Sequence, residues 1–217
     1  MNATLSQTLM IFAVLTVFQN YAPAGTKLIA DETARKIFSP EELNGIGKMI
    51  SFVDSLIVDQ TKLEDINEAY HAYFSIDEFY PGLVKDSVKF KFLETVGKEA
   101  FDAIWTMSDS AKLVHYKGTT LVDLHGFKTL GLNYRGKYRS YMKEVGKTDS
   151  LHAVLNDAIE VAGDIPPSVY ASFFEDHKKL NFSLFKDRLW TTVFILSMGD
   201  PLEERVERYL RGKNSKH

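Results

Sequence analysis

The chain has 217 residues, 45% hydrophobic and 25% charged, with both signs mixed and a formal net charge of −3 at pH 7. This length and balance are enough for one substantial core, and they exclude an intrinsically disordered chain or a surface built throughout for polyanions. The absence of cysteine excludes disulfides, thiolate nucleophiles, sulfur-ligated zinc and a lipid-modified cysteine anchor.

The first stretch with a pattern is "TLMIFAVLTVFQNYAPAG", residues 8–25, and no charged side chain precedes Lys27. In Leu9 to Phe18 only Thr16 is polar. Such a run spans about 15 Å, half of a hydrocarbon layer about 30 Å thick, so no transmembrane span is expected from it. Ala22, Pro23 and Ala24 form an A-x-A site before Gly25. An apolar run of this length followed by small residues predicts a signal peptide over residues 1–24 and a mature domain over 25–217, although no Lys or Arg precedes the run. The alternatives are a buried core helix, weakened because the run has no polar stripe, and a membrane anchor.

Ser39, Pro40 and Glu42 mark a helix start: a capping serine, a proline suited to the first turn and the S-x-x-E box. Leu43, Ile46, Ile50, Val53 and Ile57 then recur at three and four, which gives one apolar face. Thr61 and Glu64 repeat the box ahead of a second face made by Leu63, Ile66, Tyr70, Tyr73 and Phe74. A turn is expected at Pro81 and Gly82. From Asp86 to Met107 the signals conflict. "VKFKF" alternates like a strand, whereas Phe92, Val96, Phe101, Ile104 and Trp105 follow a helical period with a break at Gly97. Residues 112–125, "KLVHYKGTTLVDLH", predict a β-hairpin turning at Lys117–Gly118. Helices return at "KYRSYMKEV", at "SLHAVLNDAIEVAG" and after Pro166–Pro167. Leu189 to Met198 is apolar on nearly every side and predicts the central buried helix; "PLEERVERYLRG" closes the fold. The expected class is mainly α, a single multi-helix domain with one inserted β-hairpin at about residues 112–125. Any two-lobed arrangement would divide around residues 106–133.

Four groups of residues are candidates for chemistry. "GLNYRGKY" matches a phosphate loop until Tyr138 takes the place of the Ser or Thr that holds magnesium, and no βαβ series surrounds it, so nucleotide binding is rejected. From Lys128 to Lys147 there are six basic residues and one acid, with Tyr134, Tyr138 and Tyr141 interleaved. Arg135, Lys137, Tyr138, Arg139 and Tyr141 could therefore bind an anionic ligand by charge and aromatic stacking. The opposing reading is a solvated helix face, because Tyr138, Tyr141, Met142 and Val145 lie at core spacing. Glu68-x-x-His71 is half of a di-iron ligand pattern, and Asp149-x-x-His152 is the one near-match for the other half. Both fall off the apolar face of their helices, so no metal is expected. Asp123 and His125 share one face of the predicted hairpin with His115 on the other, so they could orient a general base. A Lys112–Asp123 ion pair is the simpler account, and no nucleophile motif accompanies them. His177, at a helix end behind Tyr170, Phe173 and Phe174, reads as structural.

The expected function is an exported (periplasmic or secreted) helical binding or interaction module without its own chemistry, directed at a glycan or anionic envelope surface. Nucleic acid and cofactors are not expected. One alternative is a hydrolase-type enzyme using Asp123 and His125. The other is a cytosolic polyanion binder using residues 128–147.

Overall fold

A computed structural model of the chain describes residues 30–76 and 84–214, so the signal-peptide segment and the Pro81–Gly82 turn lie outside the described residues. It shows a mainly α protein, with ten α-helices and one antiparallel hairpin among the described residues. Helices α1 (Glu32–Ile37) and α2 (Pro40–Thr61) open the described chain. The capping box of α2 is complete: the Ser39 hydroxyl accepts from the Glu42 amide at 3.2 Å, and the Glu42 carboxylate accepts from the Ser39 amide at 2.7 Å. Replacing Ser39 with alanine removes half of this exchange. The expected result is a loss of about 1 kcal/mol, read from the urea midpoint.

The second predicted box does not form. Thr61 is still inside α2 and donates its hydroxyl to the Ile57 carbonyl at 2.8 Å. Helix α3 (Ile66–Phe74) is capped by Asp65, which accepts from the Glu68 amide at 2.9 Å. The ambiguous segment divides into α4 (Asp86–Leu93) and α5 (Lys98–Ile104), parted at Gly97 with φ +94°. The strand-like alternation of "VKFKF" misleads because Lys89 faces the interior while Val88 faces solvent.

Trp105 begins a strand, not a helical turn. The hairpin is longer than predicted, with β1 over Trp105–Tyr116 and β2 over Thr119–Leu132. Its turn falls at Lys117 and Gly118, with φ +46° and +75°, the left-handed pair that matches the twist of the flanking strands. His115 faces Thr120 as expected, and a bulge interrupts the register between Ser108 and Ser110. Then follow α6 (Lys137–Gly146), α7 (Ser150–Ala162), α8 (Pro167–Asp176), a 3₁₀ turn (His177–Lys179), α9 (Phe185–Ser197) and α10 (Leu202–Asn214). No helix among the described residues is long and apolar enough to cross a membrane.

Two hydrophobic clusters hold the structure. The larger surrounds α9, whose Leu189, Trp190, Val193, Phe194 and Leu196 are all buried, with Phe194 stacked on Phe173 of α8 at 3.9 Å. The all-round apolar character of α9 thus has its predicted cause: neighbours cover it on every side. The smaller cluster is separate. Val114, Leu124 and Phe127 of the hairpin pack against Val206, Tyr209 and Leu210 of α10. The opposite face of the hairpin is left to solvent, with the cross-strand pair Leu113 and Val122 exposed at 55% and 62%.

Candidate functional site

The basic segment spans the end of β2 and all of α6, and the fold divides its residues. Tyr138 and Tyr141 point into the core and both are fully buried. The Tyr141 hydroxyl donates to Asp31 at 2.7 Å, and burial raises its pKa far above the usual value. Neither ring has a face open to a ligand; both occupy the helical core spacing that competed with the binding reading. Lys137 reaches back to Glu42 at 2.8 Å, so α6 is tied to the N-terminus of α2. Arg139 lies 3.8 Å from Glu160 and donates to the Ile159 carbonyl at 3.4 Å near the end of α7. Its guanidinium also sits 5.1 Å from the ring centre of Tyr134, which is 69% exposed. Arg135 is exposed beside it. Sequence reasoning counted Tyr134 among the interleaved tyrosines without placing it in the binding set. At the β2–α6 junction the structure sets the Arg139 guanidinium, on a side chain only 11% exposed, over the ring of exposed Tyr134, with exposed Arg135 next in the chain. Gly136 permits that junction, since a Cβ there would stand 2.5 Å from the Ala103 carbonyl oxygen.

Asp123 and His125 are both exposed on β2. Among the described residues, no hydrogen bond or ion pair joins them to each other or to Lys112. Asp123 takes φ +50°, which breaks the alternation: Val122 is exposed and Leu124, two residues later, is buried. The shared face inferred from strict period two therefore does not carry over to this part of β2.

Glu68 is exposed on α3, whereas His71 turns inward and meets His177 with Nδ1 3.3 Å from Nδ1. His152 is fully buried on α7 between two carboxylates, 3.2 Å from Asp149 and 3.5 Å from Asp187. Burial raises the Asp187 pKa. Lys186 pairs with Asp149 on the outer side. Among the described residues no three His, Asp or Glu side chains are placed to hold a metal ion.

A charged cluster that the sequence did not reveal binds α10 to α4. Lys89, 2% exposed, lies 2.9 Å from Asp86 and donates to the Met198 carbonyl at 2.7 Å. Burial lowers the Lys89 pKa, and Asp86 pulls it back up. Arg205 and Arg208 approach the same Asp86 at 3.3 and 3.6 Å, and Arg208 also meets buried Asp200 at 2.6 Å. A polar cavity of about 60 Å³ beside Lys89 has room for ordered water. The cluster is fully cross-paired and anchors the fold. A second, open cleft of about 250 Å³ is lined by Leu93, Gly97, Phe101 and Met107 with Glu94 and Lys98. It falls short of the roughly 300 Å³ at which small-molecule pockets usually begin.

The architecture is thus a mainly α protein with an inserted hairpin, and a basic aromatic surface where the hairpin hands over to α6. The chain matches no protein-family model, no curated protein and no solved structure.

Proposed function

We propose that the chain is an exported binding module, periplasmic or secreted, that holds an anionic glycan or another anionic envelope surface on Tyr134, Arg135 and Arg139. The observation that carries the reading is Tyr134: an aromatic ring 69% exposed, with a guanidinium 5.1 Å from its centre. Exposing a ring of this size costs hydrophobic stabilisation, and a ring face beside cations suits the flat apolar side of a sugar carrying carboxylate or sulfate. Arg139 is held by Glu160 and the end of α7, so its charge is positioned before a ligand arrives. Arg135 adds a second cation free to turn toward the anion. Export is supported by the apolar run and the A-x-A site before Gly25, and the intact mass of the native protein tests it. A chain starting at Gly25 is the expected result. A chain starting at Met1 would move the same surface to cytosolic polyanions.

Binding is tested with immobilised polygalacturonate, against neutral dextran as control. Tyr134→Ala and Arg135→Glu are each expected to weaken binding about tenfold, and Arg135→Glu to flatten its salt dependence. Both positions are exposed, so folding should be unaffected. Binding of both variants at the unmodified level would remove this surface from the account.

A further inference from the structure

His71 and His177 are 106 residues apart in the chain and meet in an aromatic pocket. Their ring centres are 5.5 Å apart, Phe182 stands edge-on to His71 at 4.9 Å, and Phe74 lies 5.6 Å from His177. His177 is 2% exposed. Phe74 in turn packs on Phe173 of α8 at 4.8 Å. The contact therefore pins the 3₁₀ turn and the end of α8 against α3.

The two Nδ1 atoms, 3.3 Å apart, constrain how many protons the pair can hold. A hydrogen bond between them needs one nitrogen protonated and the other bare. Two neutral rings of opposite tautomer satisfy this, and so does one imidazolium beside one imidazole. Two imidazolium rings do not: two N–H groups would face each other with no acceptor, and two like charges would share an apolar pocket. The charged groups bearing on His177 are His71 from α3, Lys178 from the 3₁₀ turn and Glu175 from α8. Phe74 packs against His177 and Phe182 against His71, and neither ring carries a charge. Burial, then His71, then Lys178 lower the His177 pKa, with Glu175 opposing.

We propose that the His71–His177 pair is an acid-sensitive latch, closed while it carries at most one positive charge and opened by the second. The sign follows from proton counting. The closed pair binds fewer protons than two free imidazoles, so closure is fully favoured above the ordinary histidine pKa of about 6.5 and is lost as pH falls below it. Opening would release the 3₁₀ turn from α3 and uncover Phe74, Phe173 and Phe182. A module with this device would present an apolar patch in an acidic setting and hide it at neutral pH. The latch is independent of the Tyr134 surface and would operate whether or not that surface binds anions.

The test is amide hydrogen exchange on the full chain, expressed as protection factors so that intrinsic pH effects cancel. Between about pH 7 and pH 5, protection over residues 171–182 is expected to fall about tenfold, while that of α2 stays level. His177→Gln keeps a neutral polar group that cannot take up a proton, and should abolish this local acid step. His71→Gln, at the more exposed partner, should do the same and serves if the first variant fails to fold. An acid step of equal size in the glutamine variants, or no local step in the unmodified chain, would overturn the latch.

Discussion

Arg188→Met is expected to be among the most damaging single substitutions in this chain, costing about 3–5 kcal/mol. Arg188 on α9 pairs with Asp54 on α2, and both are buried. Tyr70 donates to the same carboxylate at 2.8 Å. Methionine fills much of the arginine stem's volume, so packing is largely kept and the loss is electrostatic: a carboxylate left in the core with one neutral donor. Stabilities of natural domains are about 5–15 kcal/mol, so the urea midpoint should shift by a large fraction with the slope unchanged. The pH dependence identifies the cause. Burial already raises the Asp54 pKa, and Arg188 and Tyr70 hold it down. Without Arg188 the folded-state pKa rises further above the unfolded value, so the folded form binds the extra proton. The deficit should therefore shrink as pH falls from 7 toward 5. Adding Asp54→Leu should recover most of the loss, because the stranded charge is then gone. A single variant with the unmodified midpoint would show that Arg188 does not support Asp54.

Two glycines of α2, one turn-half apart, should respond with opposite signs. At Gly45 a Cβ would stand 2.2 Å from the Ala100 Cβ and 2.4 Å from the Val96 carbonyl oxygen. Neither neighbour is the tip of a flexible side chain, so α5 must shift bodily or the crossing must open. Gly45→Val is expected to cost about 3 kcal/mol or more, because overpacking adds to the poor helix propensity of a β-branched residue. At Gly47 nothing lies within 4 Å of the added atom. Gly47→Ala removes backbone freedom from the unfolded chain and should stabilise by about 0.5–1 kcal/mol. Thermal melts of the two variants decide the matter. A destabilised Gly47→Ala together with a tolerated Gly45→Val would mean that α2 does not cross α5 as described.

What the sequence disclosed was local. The start of α2 was legible because Ser39, Pro40 and Glu42 satisfy one another within four residues. The hairpin turn was legible for the same reason, since Gly118 and its neighbour must adopt left-handed backbone. Trp105 was misread because its helical spacing to Phe101 is real, while the strand partner that decides its conformation, Leu132, lies 27 positions on. Lys89 hid its burial because the groups that neutralise it include the Met198 carbonyl, 109 residues away. For the candidate site, the alternation of tyrosine with cations marked the segment that carries exposed Tyr134 and Arg135, and helical spacing correctly warned that Tyr138 and Tyr141 could be core. The exposure of Tyr134 depends on where β2 ends, which the sequence placed too early. The meeting of His71 with His177 had no local signal: each sits on a helix whose own pattern accounts for it.

The small second core has a consequence for the order in which the chain becomes protected. Val114, Leu124 and Phe127 are covered by Val206, Tyr209 and Leu210 of α10, which follow the hairpin only after α6 to α9 have been made. At translation rates of about 5–20 residues per second, the ribbon waits several seconds for its lid. A two-stranded hairpin is marginal by itself, and this one has two open edges and apolar side chains on both faces meanwhile. The nascent chain is therefore most vulnerable to mispairing at the hairpin, in the interval between its emergence and that of α10.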